Sequence, residues 1–598
     1  MFAPFVVEMI AGQGNLSGLN TTVWAAGSDS WVSMMQDKGT NSTDHTVLAY
    51  LSLYFIGTTT ANAPNPLVDP SRSPSAMNIE ALDQTVWDAV IAGTGLRESL
   101  LAAALARAGK KVLHLDQNPY YGEEYAALSL DELEAWTKNV KSSHIRSVQY
   151  KTYPAPEGSG LKKSRSYTLS LSPGLLYTAS PILSLLIKSN LHESLEFLKV
   201  GGWFVYDAAA PLSDPLKRVP NTREDIFNDK TLDPRTKRVV VRALKSMVGS
   251  EGVHSGTAAT SSGLSLQQYL EQPSFRLPSS IIVAFTSLTL LHNLPNELPL
   301  GEAEERIKKH FGSLGRFGAG FSAVISRYTS GSELVQVLCR AAAVTGNAIY
   351  VLENGIVDIQ EPGSVPPPIQ ALPNESTEQS IRLSLKSGDV IRTRHVVGTA
   401  SNLPITASAD QISSESTGYW MSIYVVSSPL KQIFQTDEPP PAAGAIIYVP
   451  AGSIEVNGYS NTNPMYVVVH SSDTGECPDG QSILYISMKE TSSGGAELFD
   501  ATVKSLLQNL TSKGGAADNT AGHILLSVTF KTCADLEPPD QSSSGRVHLL
   551  SRHVPMIEIP DSLVEQTMEI YEKIVGSRDA FLEKAAHQEP EPPGEKSG

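Results

Sequence analysis

The segment VWDAVIAGTGLRESLLAAALARAGKKVLHLDQNPYYG, residues 86–122, restricts the fold more than any other part of the chain. DAVIAG is an unbroken apolar run ending at Gly93, as a strand buried on both faces requires. LRESLLAAALAR then reads as a helix and KKVLHLD as a second strand. Strand, glycine turn, helix and strand in that order form a dinucleotide-binding unit. Gly93 permits the tight turn, and Gly95 lets backbone come close to a pyrophosphate. Asp116, about twenty residues on, stands where an acid holds a ribose. The third glycine, however, is replaced by Glu98. Its carboxylate lies in the first helical turn, where the helix dipole favours one negative group. On the residues alone two readings stand. Either Glu98 fills the anion's place itself, or it turns to solvent and a nucleotide binds.

The 598 residues are enough for several domains with real cores. A net charge of −16 argues against nucleic acid as a partner, since phosphate binding needs basic surface. Cys339, Cys477 and Cys533 form no metal or CxxC spacing, which fits a reducing, cytoplasmic setting. The longest strongly apolar run, 281–291, is too short to span a bilayer. No signal peptide is legible at the N-terminus.

Residues 1–76 are rich in Ser, Thr, Asn and Gly without sustained period, and are expected to be disordered or a non-native extension. The α/β pattern occupies 77–212. Residues 213–312 read as mostly helical, with Ile281, Phe285 and Leu288 at helical spacing. Strands and helices alternate again over 313–580, and 581–598 form a Pro- and Glu-rich tail expected to be disordered. The expected architecture is an α/β, Rossmann-type body interrupted by an inserted all-helical domain.

The glycine turn, including Glu98, resembles the N-terminal signature of the family of Rab GDP-dissociation inhibitors and Rab escort proteins. SGSELVQVLCRAAAVTGNAIYVL at 330–352 is similar to the family's second signature. NTREDIFNDKTL at 221–232, ECPDGQSILYIS at 476–487 and YEKIVGS at 571–577 also match. The chain length and the CRAAAV wording at 339–344 resemble the escort branch, component A of Rab geranylgeranyltransferase, in its fungal type.

The resemblance implies an FAD-binding-like fold that carries no flavin and has no catalytic activity of its own. One face would hold a Rab GTPase in its GDP form, through Tyr121, Glu333, Arg340, Ile349, Tyr350 and Val351. Domain 213–312 would take the geranylgeranyl lipid and dock the transferase α/β heterodimer, with Val240, Leu244, Ile281, Phe285 and Leu288 as candidate lipid contacts. The protein would be cytoplasmic, with transient membrane contact. Gly93, Gly95, Glu98 and Asp116 would be a vestigial dinucleotide turn. The sequence departs from the family at Ala243 and Ser246, where escort proteins carry aromatics.

Two rivals remain: an inhibitor that recycles prenylated Rab, and an FAD-dependent oxidoreductase. The second needs a redox or acid–base site. His114, His144, His192, His254, His292 and His310 are dispersed in sequence, and no catalytic set assembles from spacing.

Overall fold

Strand β1 (Val86–Ala92) and strand β2 (Val112–Leu115) flank the glycine turn and run parallel, Ala89 opposite Val112 and Ala92 opposite Leu115. The computed structural model describes residues 80–583, apart from 141–143, 211–214, 221–222, 250–262, 329, 362–379, 405–417, 437–438, 491–493, 512–521, 534–544, 552–553 and 555–556. These lie in one unit, Asn78–Gly598. The expectations for residues 1–76 and for the tail beyond 583 lie outside the described residues.

Five further strands complete the first sheet: β3 (Ala348–Val351), β4 (Ile356–Gln360), β5 (Ile381–Leu385), β6 (Val390–Thr399) and β7 (Val547–Leu550). The order is β3-β2-β1-β6-β5-β4, with β7 parallel to the end of β6. β3, β2, β1 and β6 are parallel, and β4 and β5 form an antiparallel edge. Helix α1 (Leu96–Arg107) is buried over nearly its whole length. Its Ala102, Ala103, Ala104 and Ala106 have no exposed surface, because small side chains let helices and sheet close on it from several sides.

The second sheet has ten strands. Its centre runs through Ile524–Cys533, Gly418–Val426, Ser482–Lys489, Met465–Ser471, Gly444–Val449 and Phe197–Tyr206. Alternate residues face opposite ways along a strand, and this divides two cores. Ile423, Ile446, Val468 and Tyr485 join one. Tyr424, Ile447, Val467 and Ile486 join the other, beneath helix Gly495–Thr511.

The stretch predicted to be helical contains α2 (Arg223–Asn228), α3 (Pro234–Val248), α4 (Leu266–Glu271), α5 (Ser279–Ser287) and α6 (Leu300–Ser313). Strand Leu216–Arg218 precedes them and pairs with Phe197–Tyr206. Asp233 caps α3, its carboxylate accepting from the amides of Arg235 and Thr236, with Pro234 at the first turn. These helices share one core with the second sheet: Val240, Phe285, Leu288 and Ile307 cluster with Trp203 and Tyr466. His292 meets Ser487 at 2.8 Å across that seam. Two further helices, α7 (Gly331–Val344) and α8 (Ser562–Val575), pack on α1.

Candidate functional site

The turn between β1 and α1 has the backbone of a nucleotide cradle. Gly93 takes a left-handed φ of +101°, and its amide donates to the Leu115 carbonyl at 2.8 Å. His114, held neutral by burial at about 4, donates from Nε2 to the Gly93 carbonyl at 2.5 Å.

The cradle's space is taken by the protein's own carboxylates. A Cβ on Gly93 would lie 2.3 Å from Glu123 Oε1, and one on Gly95 would lie 2.6 Å from Glu98 Oε2. Glu98 is 2% exposed, so it folds back over the turn and does not reach solvent. Asp116 follows the last residue of β2 and is also used internally. Its Oδ2 accepts from the Thr94 amide at 2.9 Å and the Thr94 hydroxyl at 2.5 Å. Its Oδ1 accepts from the Asn118 amide and side chain at 2.8 and 2.9 Å. Burial raises the Asp116 pKa, against the lowering effect of these bonds.

An FAD-type fold implies a dinucleotide here, and the residues do not fit one. A pyrophosphate would need the space and the positive helix end that Glu98 and Glu123 occupy. A ribose would need acceptor capacity that Asp116 already spends on Thr94 and Asn118.

Beside the cradle lies an edge surface built from the 117–123 loop, β3 and α7. Tyr121 and Tyr350 meet edge-on with ring centres 6.1 Å apart, and Tyr350 leans on His114 at 4.8 Å. Ile349, on the edge strand, is 42% exposed, and Val351 is half-buried. On α7, Glu333 is half-buried in the first turn, where burial raises its pKa, and Arg340 is exposed two turns on. Thus the predicted residues Tyr121 and Tyr350 come together on the α7 side of β3, with Glu333 and Arg340 on that helix, whereas Ile349 and Val351 alternate to the other face of the strand, where Val351 packs against the opposite core.

α7 can approach so closely because of Gly331. A Cβ there would lie 2.3 Å from the Tyr125 ring. Cys339 of α7 lies 3.5 Å from Ser99 of α1. Burial pushes its thiol up to about 11, so it packs and does not react.

The candidate lipid residues are placed differently. Val240, Phe285 and Leu288 are buried in the core shared with the second sheet, and Leu244 and Ile281 pack partly buried against it. Ala243 is fully buried, and the Ser246 hydroxyl lies 3.0 Å from that of Tyr269. Sequence reasoning missed Thr94, Glu123 and Asn402. Glu123 had a signal, since it directly follows Gly122 in the loop that closes on the turn. Asn402 had none, lying 285 residues from Gln117, its partner.

Comparison with known proteins agrees with this fold. The family model of the GDP dissociation inhibitor matches residues 82–366. The Rab proteins geranylgeranyltransferase component A of Saccharomyces cerevisiae is 27% identical, over 87% of this chain and 89% of that protein. Its namesake in Drosophila melanogaster is 26% identical, over 84% and 91%. The crystal structure of Rab GDI from Plasmodium falciparum matches at a TM-score of 0.56 and 18% identity, covering 82% of this chain and 98% of that one. The α/β body is therefore of the GDI fold. Over most of its length the chain is similar to proteins named as component A of Rab geranylgeranyltransferase, and over 82–366 to the GDP dissociation inhibitor family.

Proposed function

We propose that this protein is a Rab escort protein, the non-catalytic accessory component of Rab geranylgeranyltransferase. It binds unprenylated Rab in the GDP form, presents it to the transferase heterodimer and delivers the lipidated product to membranes. The observation that carries this reading is the near full-length similarity to component A proteins.

The Tyr121, Glu333, Arg340, Ile349, Tyr350 and Val351 surface suits a protein partner. It offers rigid aromatics as anchors and one acid and one guanidinium as directional groups. The self-filled glycine turn supports a protein that works without flavin. Val240, Leu244, Ile281, Phe285 and Leu288 would form the lipid site if α3 and α5 part to admit the isoprenoid. Among the described residues no helix is long and apolar enough to cross a membrane.

The test is a reconstitution with the full chain, a Rab, the Rab geranylgeranyltransferase and labelled geranylgeranyl diphosphate. Lipid transfer that depends on this protein, from a stock without visible absorption, is the expected result. Extraction of prenylated Rab from membranes without stimulated transfer would favour the inhibitor reading. Flavin absorption would overturn the cofactor-free reading.

A further inference from the structure

The 117–123 loop carries Tyr121, and its two ends converge on one side chain. Gln117 donates from Nε2 to Asn402 Oδ1 at 3.0 Å. Asn402 donates from Nδ2 to Glu123 Oε1 at 2.6 Å, and lies 3.3 Å from the Ala92 carbonyl at the end of β1. Between these ends, the Gly122 amide donates to the Thr94 hydroxyl at 3.0 Å. Asn402 therefore closes the loop as a staple, directly over the glycine turn.

The loop backbone needs holding. Glu123 has a φ of +45°, in the left-handed region that side chains avoid, directly after Gly122 at +104°. Such conformations persist where surrounding contacts over-determine them. The contacts here are those of the former cradle: Thr94 of the turn, Glu123 in the space above Gly93, and Asn402 bridging both.

We propose that Asn402 and Glu123 are positioning residues for the partner-binding surface. They use the emptied nucleotide cradle to fix the loop that presents Tyr121 to Tyr350. The cradle's chemistry is kept, but its ligand is now the protein's own carboxylate. This rests on the reading of Tyr121 and Tyr350 as Rab contacts.

The experiment compares the full-length wild type with Asn402→Ala, Glu123→Ala and Glu123→Gln. It measures amide hydrogen exchange over 117–123, thermal unfolding, and affinity for GDP-loaded Rab. Both alanine variants are expected to speed loop exchange by about tenfold or more and weaken Rab binding by about tenfold, with little change in unfolding temperature. Glu123→Gln keeps the oxygen that accepts from Asn402 and should behave as wild type. Unchanged loop exchange in Asn402→Ala overturns the staple. Faster exchange with unaltered Rab affinity overturns its positioning role, as does a Glu123→Gln variant that fails like Glu123→Ala. A wild-type chain that binds no Rab overturns the underlying reading, and the exchange data then show separately whether the staple holds.

Discussion

Tyr121 and Arg340 differ in what their loss should cost, because one is half-buried in an aromatic cluster and the other is exposed. Truncating either to alanine should weaken Rab·GDP binding by about tenfold or more, as expected for aromatic and Arg anchors. Arg340→Ala should leave thermal stability unchanged, since no core contact is lost. Calorimetric titration of folded variants checks this, and affinities equal to wild type would remove these residues from the interface. Ala243 poses the opposite case. Its side chain is fully buried in the core around α3. A phenylalanine there would overpack that core, at a cost of about 1–3 kcal/mol. Urea denaturation of Ala243→Phe should show that loss, and stability at the wild-type level would mean the site opens to the surface.

Elements rather than single residues decide how the helical stretch is held. Glu558 is 3% exposed and receives two cations from one face of α6. Arg306 bonds its Oε1, and Lys309 reaches the same oxygen at 3.1 Å while also meeting Asp561 at 2.8 Å. Ser180 donates to Asp561 at 2.7 Å, which ties helix Pro181–Lys188 into the same network. Removing the charge in Glu558→Gln leaves two partly buried cations under-paired, so about 3–5 kcal/mol of stability should be lost. A denaturation midpoint within error of wild type would refute this. None of this network was legible in the sequence, because its members lie up to 381 residues apart. The β1–turn–α1–β2 unit was legible because its signals are local: an apolar run, two glycines and a period of 3.6. The aromatic pair of the platform was legible only through family likeness, since Tyr121 and Tyr350 meet by the pairing of β3 with β2. The stretch 281–291 shows the limit of periodicity. Its apolar spacing continues past Ser287, but α5 ends there and Leu290 turns to a positive φ of 58°. Leu288, the last residue in helical geometry as the cap of α5, still joins Phe285 in the core.

At the scale of the whole molecule, four buried imidazoles set the response to pH. Burial lowers His114, His292 and His548 to about 4 and His310 to about 3. They sit at different seams: His114 under the glycine turn, His292 against the second sheet, His310 edge-on to Trp203 at 4.6 Å, and His548 3.2 Å from His395. Below the ordinary histidine value of 6.5 the unfolded chain takes up protons that the folded chain refuses. Stability is therefore full above that value and is lost as pH falls from about 6.5 towards 4. At pH 5 each such imidazole should cost about 1–2 kcal/mol, and four together consume a large part of a typical folding free energy. Asp116 and Glu333 act in the opposite sense, since burial raises both and the folded state gains relative stability as they protonate. Two carboxyls do not balance four imidazoles, so the net effect is acid lability. Urea midpoints should fall steadily between pH 7.5 and 5. His310→Phe suits the aromatic surroundings of Tyr177, Trp203 and Phe311 and removes one titrating group. Its midpoints should fall less steeply over the same range. A wild type indifferent to pH across that window, or a His310→Phe variant with an undiminished slope, would show that these rings take up protons without unfolding the protein.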